Sequence, residues 1–76
     1  MWHNVKDQLP ELQKNEFDDF QSDVVLVCGK YLKIMTAYCR QYEDEDVYHW
    51  YTDCSEGWEI TDSVEHWMPL PPLPEN

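Results

Sequence analysis

Six side chains in the sequence are of types that bind transition metals: His3, Cys28, Cys39, His49, Cys54 and His66. Structural zinc sites usually take their ligands from closely spaced pairs such as Cys-x-x-Cys, and these six residues include no such pair. Free cysteines bury well, so the spacing favours small core residues for Cys28 and Cys39. We therefore predict no metal site and no other cofactor.

Covalent and acid–base catalysis leave local signatures that this sequence lacks. No Gly-x-Ser-x-Gly turn surrounds a serine, and the two glycines, Gly29 and Gly57, stand alone rather than in a phosphate-binding loop. Carboxylates are numerous, but the sequence context singles out no acid–base pair among them. We predict that the protein is not an enzyme and that it acts by binding.

A nucleotide could be held by stacking on aromatic rings, with cationic side chains on its phosphates. The residues of this candidate ligand site are Lys30, Lys33, Arg40, Trp50, Trp58, His66 and Trp67. A chain of 76 residues has little else with which to fill a core, which favours a packing role for most of these rings. For His66, a structural hydrogen-bonding role is the competing interpretation.

Acidic residues dominate the second half of the chain. Residues 41–76 hold ten Asp and Glu and no Lys or Arg, so nearly all of the formal charge of −11 lies there. Nine of the ten form a run followed by a series with a period of three: Glu43, Asp44, Glu45, Asp46, Asp53, Glu56, Glu59, Asp62 and Glu65. Two interpretations stay open, a solubilising face or an imitation of the closely spaced charges of a nucleic acid duplex.

This charge also limits the possible partners. An anionic surface repels nucleic acid and anionic lipid and raises the encounter rate with basic proteins. We therefore expect no direct binding to nucleic acid or membrane, and a host protein with a basic surface as the partner. A homo-oligomer is compatible with the sequence.

The elements that position these residues are predicted to be mainly β, with a small α+β fold as a variant. The predicted strands are residues 24–28, 33–39 and 47–52, with short extended pieces at Trp58, Ile60 and 64–68. They form a three- to four-stranded antiparallel meander with a hairpin turn at Gly29-Lys30. Residues 1–21 are expected to be irregular, a helical turn is expected there or between Ser55 and Ser63, and residues 69–74 form a polyproline strap.

The length indicates one domain, residues 1–76. The cysteine content indicates a reducing compartment. Three cysteines at wide spacings do not form the even framework of a secreted mini-protein. The longest apolar run, Val24 to Cys28, is far too short to span a bilayer. We expect a soluble protein in the cytoplasm of a bacterial host.

Motifs near both ends resemble a known family. The chain opens with Trp2-His3-Asn4-Val5-Lys6-Asp7-Gln8-Leu9-Pro10-Glu11, has Val-Leu-Val at 25–27, and closes with Glu65-His66-Trp67-Met68-Pro69-Leu70-Pro71. This pattern resembles the bacteriophage and prophage domain of unknown function 551, whose closing box is the specific part of the match. The resemblance runs almost end to end and implies a phage setting, a small β-rich fold and no established catalytic residues. The acidic second half departs from the family pattern.

Two functions follow as hypotheses. The first is a phage accessory protein, an anti-defence inhibitor whose acidic surface occupies a basic, nucleic-acid-binding site of a host protein. The alternative is a small-ligand binder that sequesters a nucleotide immune signal in an aromatic pocket. A structural or regulatory phage component without an anti-host role also stays open.

Overall fold

The computed structural model describes residues 1–54 and 56–71, and within them the chain is mainly β. The strands are β1 (His3–Asn4), β2 (Gln13–Lys14), β3 (Phe20–Gln21), β4 (Val25–Gly29), β5 (Leu32–Gln41), β6 (His49–Thr52) and β7 (His66–Pro69). A 3-10 turn spans Thr61–Ser63. The predicted fold class is confirmed, as is a short helical turn between Ser55 and Ser63.

The central element is the antiparallel hairpin of β4 and β5. Its register places Val25 opposite Ala37 and Gly29 opposite Leu32. The β-branched and apolar composition of this segment suits a strand with neighbours on both sides, and β4 does lie between β5 and β7. The hairpin prediction is therefore confirmed, but its turn lies at Lys30 and Tyr31 rather than at Gly29-Lys30, and β5 extends further, to Gln41, than the sequence indicated.

The strand order corrects the predicted three- to four-stranded meander. Within residues 1–54 and 56–71 there are seven strands, in the order β1-β7-β4-β5-β3-β2, and β6 pairs with the other edge of β5. β7 returns to lie beside β4 instead of following β6 in a meander. The three strands within residues 1–21 have two residues each, too few for an alternating pattern to show in the sequence.

One face of the sheet carries the core, because alternate residues of a strand point to the same side. The buried apolar residues are Val25, Val27, Ala37, Cys39, Trp50, Val64 and Trp67. The register places Val27 opposite Trp67 and Cys39 opposite Trp50, so the two tryptophans pack on the same face from opposite sides of the hairpin. The sheet curls around these side chains.

The curl is closed by the segment between β6 and β7. The N–H of Glu65 donates to the carbonyl oxygen of Cys28 over 2.9 Å, and a Cβ atom at Gly29 would lie only 1.7 Å from the carbonyl oxygen of Ser63. Only glycine permits this close backbone approach. Gly29 is therefore a packing requirement as well as a turn signal.

Two predicted boundaries are wrong. The third strand was expected over 47–52, but Val47 and Tyr48 precede β6 and are exposed. The polyproline strap was expected from Pro69, which instead ends β7 opposite Val25. A proline is tolerated at the end of a strand, where no ladder donor is needed. Residues 72–74 of the expected strap lie outside the described residues.

Candidate functional site

The acidic residues of the second half lie on the surface. All nine that the sequence singled out are exposed: Glu43, Asp44, Glu45, Asp46, Asp53, Glu56, Glu59, Asp62 and Glu65. The run at 43–46 occupies the loop between β5 and β6, as expected. Mutual repulsion explains this placement, because four adjacent carboxylates are stable only where water can solvate each of them.

The series with a period of three does not form a single stripe. Asp53 follows β6, Glu59 forms a β-bridge with Tyr51, and Asp62 lies in the 3-10 turn. Glu65 lies furthest along, held between β1 and β4, since its carbonyl oxygen accepts the N–H of Val5. The series therefore follows the chain from the end of β6 to the start of β7.

His49 contacts one carboxylate of residues 43–46, which we call the acidic loop, and one carboxylate of this series. Its Nε2 atom lies 2.8 Å from Oε2 of Glu45, and its Nδ1 atom lies 3.1 Å from Oε2 of Glu59. A neutral imidazole has only one N–H, so two carboxylate partners favour the protonated ring. The hydrogen bond to Glu45, followed by that to Glu59, raises the pKa of His49.

The strand register fixes the position of His49 between Glu45 and Glu59, which we call the junction. β6 presents His49 and Tyr51 on the face opposite the core, and the bridge to Tyr51 brings Glu59 alongside. The Thr61 hydroxyl donates to Oε2 of Glu59 over 2.8 Å and accepts the N–H of Trp50 over 2.9 Å. The hydrogen bond with His49, and then that from Thr61, lowers the pKa of Glu59. The two carboxylates are therefore held in fixed positions.

Tyrosine side chains cover the same face beside His49. The hydroxyl groups of Tyr42 and Tyr51 lie 2.7 Å apart, and the rings of Tyr38 and Tyr51 stack with centroids 5.8 Å apart. Burial, and then the hydrogen bond with Tyr42, raises the pKa of Tyr51. Tyr38 on β5 and Tyr42 directly after it were not predicted, although their alternation with buried Ala37 and Cys39 could have shown that they share a face.

Arg40 lies on this tyrosine-covered face, and its ion-pair partner belongs to the first half of the chain. Its Nη2 atom lies 2.8 Å from Oδ2 of Asp19, and its guanidinium lies 4.9 Å from the centroid of the Tyr42 ring. The hydrogen bond from Arg40 is the main cause that lowers the pKa of Asp19. A carboxylate partner already occupies the guanidinium that was expected to bind a phosphate.

The three basic residues of the candidate ligand site do not form a cluster. Lys33 and Arg40 are separated by seven residues along β5, which spans about 23 Å of extended chain. Lys30 lies 5.3 Å from the centroid of the Tyr31 ring, at the other end of the hairpin from Arg40. They are near one another in the sequence, but the extended strand β5 carries Arg40 away from the turn.

The aromatic residues of that site are also dispersed. Trp50 and Trp67 are 3% and 5% exposed, so a ligand cannot stack on them without opening the core. Trp58 is exposed, and its indole N–H donates to Oε2 of Glu56 over 2.7 Å. His66 is half-buried on β7, opposite Asn4 and Cys28. The packing interpretation holds for Trp50 and Trp67, which are withdrawn from the ligand site.

The three cysteines differ in their surroundings. Cys39 is buried in the core, and burial raises the pKa of its thiol to about 12. Cys28 is half-buried, while Cys54 is exposed and lies 3.1 Å from the Thr52 hydroxyl. Within residues 1–54 and 56–71, the structure holds no group of three or more His, Cys, Asp or Glu arranged to bind a metal ion.

An open groove of about 770 Å³ lies between residues 5–9, which we call the N-terminal turn, and the end of the acidic loop. Trp50 and Val64 of the core line its floor, with Leu9 on one side and Tyr48 on the other. The indole N–H of Trp67 donates to the carbonyl oxygen of Gln8 over 2.8 Å and fixes the N-terminal wall. This groove leaves no signal in the sequence, because its walls come from segments about 40 residues apart.

The chain matches no known family model, no curated protein and no solved structure. Its resemblance to the phage domain of unknown function 551 therefore stays a prediction from the terminal motifs. Across the part of the chain that the structure describes, no helix has the length and apolar character needed to cross a membrane.

Proposed function

We propose that this chain is a non-enzymatic phage accessory protein that inhibits a host defence protein by occupying its basic, nucleic-acid-binding site. One observation carries the proposal: the nine carboxylates of the second half that lie within the described residues are exposed, whereas Lys14 and Arg40 form their ion pairs with Asp18 and Asp19 of the first half. Most of this anionic surface is therefore available to a partner, since within the described residues only Glu45 and Glu59 of this set pair with a basic side chain, that of His49. The phage setting rests on the terminal motifs.

The acidic loop and its junction are the most suitable contact region. When protonated, His49 offsets one of the two charges of Glu45 and Glu59, and its hydrogen bonds fix the positions of both carboxylates. Four further carboxylates flank the junction: Glu43, Asp44, Asp46 and Asp62. Fixed charges lose less conformational entropy on binding than free ones, and complementary charge mainly raises association rates and selectivity.

The experiment compares two variants with the same change in net charge. Asp44→Asn/Asp53→Asn/Asp62→Asn removes three exposed carboxylates of the second half, and Glu11→Gln/Glu16→Gln/Asp23→Asn removes three exposed carboxylates of the first half. Within the described residues none of these six side chains makes a hydrogen bond or an ion pair, so both variants should fold. Circular dichroism checks the fold.

Each protein is immobilised and exposed to bacterial host lysate, and retained proteins are eluted with duplex DNA. We expect wild type and the first-half variant to retain the same DNA-eluted protein and the second-half variant to lose it. Retention of that protein by both variants would contradict the proposal. So would the absence of any protein that duplex DNA displaces.

The alternative function, sequestration of a nucleotide signal, has less support. Trp58 is an exposed ring and Lys33 is an exposed cation, but Trp50 and Trp67 are buried and Arg40 is paired with Asp19. Isothermal titration with cyclic and ADP-ribose-type nucleotides tests it. Heat of binding that is lost in Trp58→Ala would favour this function, and no heat with any nucleotide would exclude it for that set.

A further inference from the structure

The groove beside the acidic loop combines an apolar interior with charged rims. Val5 and Leu9 of the N-terminal turn form one apolar wall, and Val47 and Tyr48 form the other. Val47 and Tyr48 are large side chains that remain 57% and 39% exposed. Exposed apolar groups of this kind, gathered around a concavity, indicate a binding surface more strongly than scattered ones do.

The two walls are held by different means. Asn4 organises the N-terminal turn: its carbonyl oxygen accepts the N–H groups of Asp7 and Gln8 at 3.0 Å, and its side chain accepts the N–H of Lys6 at 2.8 Å. The opposite wall directly precedes β6, whose first residue is His49. These hydrogen bonds of Asn4 fix the N-terminal wall before any partner arrives, which lowers the entropic cost of binding.

The charges at the rims decide what fits. Asp7 lies on the N-terminal wall and Asp46 on the opposite wall, so a carboxylate is present on each side of an apolar floor. Lys6 adds one positive charge. An occupant with an apolar stem and a cationic head satisfies both the floor and the rims, and arginine has this form, with a planar head that can also stack on Tyr48.

We propose that this groove binds an arginine side chain presented by the basic protein partner. The inference rests on the proposed function, since it assigns the anchor point of that interface. Arginine is among the residues that contribute most to protein interfaces, especially where a pocket removes it from water. The acidic loop would attract the basic partner over long range, and the groove would fix its position.

The first test uses a defined probe, N-acetyl-arginine methylamide, with its citrulline counterpart as the neutral isostere. Both are titrated into 15N-labelled protein, and the indole N–H signals of Trp50 and Trp58 are followed. We expect arginine to shift the signal of Trp50, which lines the groove, and to leave exposed Trp58, which does not line it, unchanged. Equal shifts with citrulline, or no shift of Trp50, would overturn the proposal.

The second test uses groove variants in the lysate experiment. Val47→Ser/Tyr48→Ala removes apolar wall contacts at exposed positions without changing the net charge. We expect it to weaken binding of the DNA-displaced host protein by about tenfold or more. Lys6→Gln removes the opposing charge and should strengthen binding.

The two proposals fail separately. If Val47→Ser/Tyr48→Ala binds the DNA-displaced protein as tightly as wild type, the groove is not the anchor, although the acidic-surface function stands. If duplex DNA displaces no protein from wild type, the function fails, whereas the arginine titration still reports on the groove. A matched control, Ile34→Ser/Tyr31→Ala, changes similar exposed side chains at the far hairpin turn and should leave binding unchanged.

Discussion

The Nε2 atom of His49 lies 2.8 Å from Oε2 of Glu45, which ties the acidic loop to the first residue of β6. With Glu59 at the other ring nitrogen, the imidazole is enclosed by two carboxylates. Arg40 lies opposite His49 on β5, and the rings of Tyr42 and Tyr51 lie beside it. The hydrogen bonds that hold Glu45 and Glu59 in place therefore depend on the charge of the His49 imidazole.

Stability should depend on the protonation of His49. Its pKa is raised in the fold above the usual 6.5, so its contribution is fully present below about 6.5 and is lost as the pH rises through the raised value. We expect the free energy of unfolding to fall across that interval, and His49→Gln to remove this part of the fall. Urea unfolding at a series of pH values measures both proteins.

NMR titration supplies the control for this prediction. Glu45→Gln removes the larger cause of the shift and should bring the pKa of His49 closer to 6.5, whereas Asp44→Asn, whose side chain does not contact the ring, should change it less. The same fall in stability in wild type and His49→Gln would show that another group is responsible.

The two kinds of tryptophan should respond differently to the same substitution. Trp67→Phe removes the hydrogen bond to the carbonyl oxygen of Gln8 and leaves a void in the core, which should cost about 1–3 kcal/mol. Trp58→Phe alters an exposed ring and should change the free energy of unfolding by less than about 0.5 kcal/mol. Urea unfolding followed by circular dichroism compares them. Equal losses would contradict the assigned core.

The substitutions Gly29→Ala and Gly57→Ala form a matched pair for measuring how far stability depends on the close backbone approach at Gly29. Gly29→Ala would place a Cβ 1.7 Å from the backbone oxygen of Ser63, so the segment before β7 must move. Gly57 has a φ of +59° with open space around it, so Gly57→Ala should cost only the left-handed conformation, about 1 kcal/mol. We expect Gly29→Ala to lower the thermal midpoint much further. A larger loss in Gly57→Ala would be inconsistent with the closure described.

The strongest sequence signals predicted the centre of the fold. The apolar, β-branched run before Gly29 and the turn after it were sufficient for the hairpin, because strand composition and turn residues are local signals. The two-residue strands β1, β2 and β3 are too short to carry such a signal, and the pairing of β1 with β7 and of β3 with β5 depends on contacts distant in the sequence.

The candidate site was only partly predictable. A run of four carboxylates indicates solvent exposure by itself, and the loop at 43–46 is exposed as expected. His49 meets Glu59 only because the chain turns back after β6, and the ion pair of Arg40 with Asp19 joins residues 21 positions apart. Composition cannot show which charges neutralise one another, so the basic trio was grouped wrongly.

The salt dependence of binding to the purified, DNA-displaced host protein tests the central claim most directly. The measurement is the slope of log Kd against log salt for wild type and the two charge variants. We predict a steep slope for wild type and for Glu11→Gln/Glu16→Gln/Asp23→Asn, and a clearly shallower one for Asp44→Asn/Asp53→Asn/Asp62→Asn. Equal slopes for the two variants would mean that net charge alone, rather than the acidic surface of the second half, governs binding.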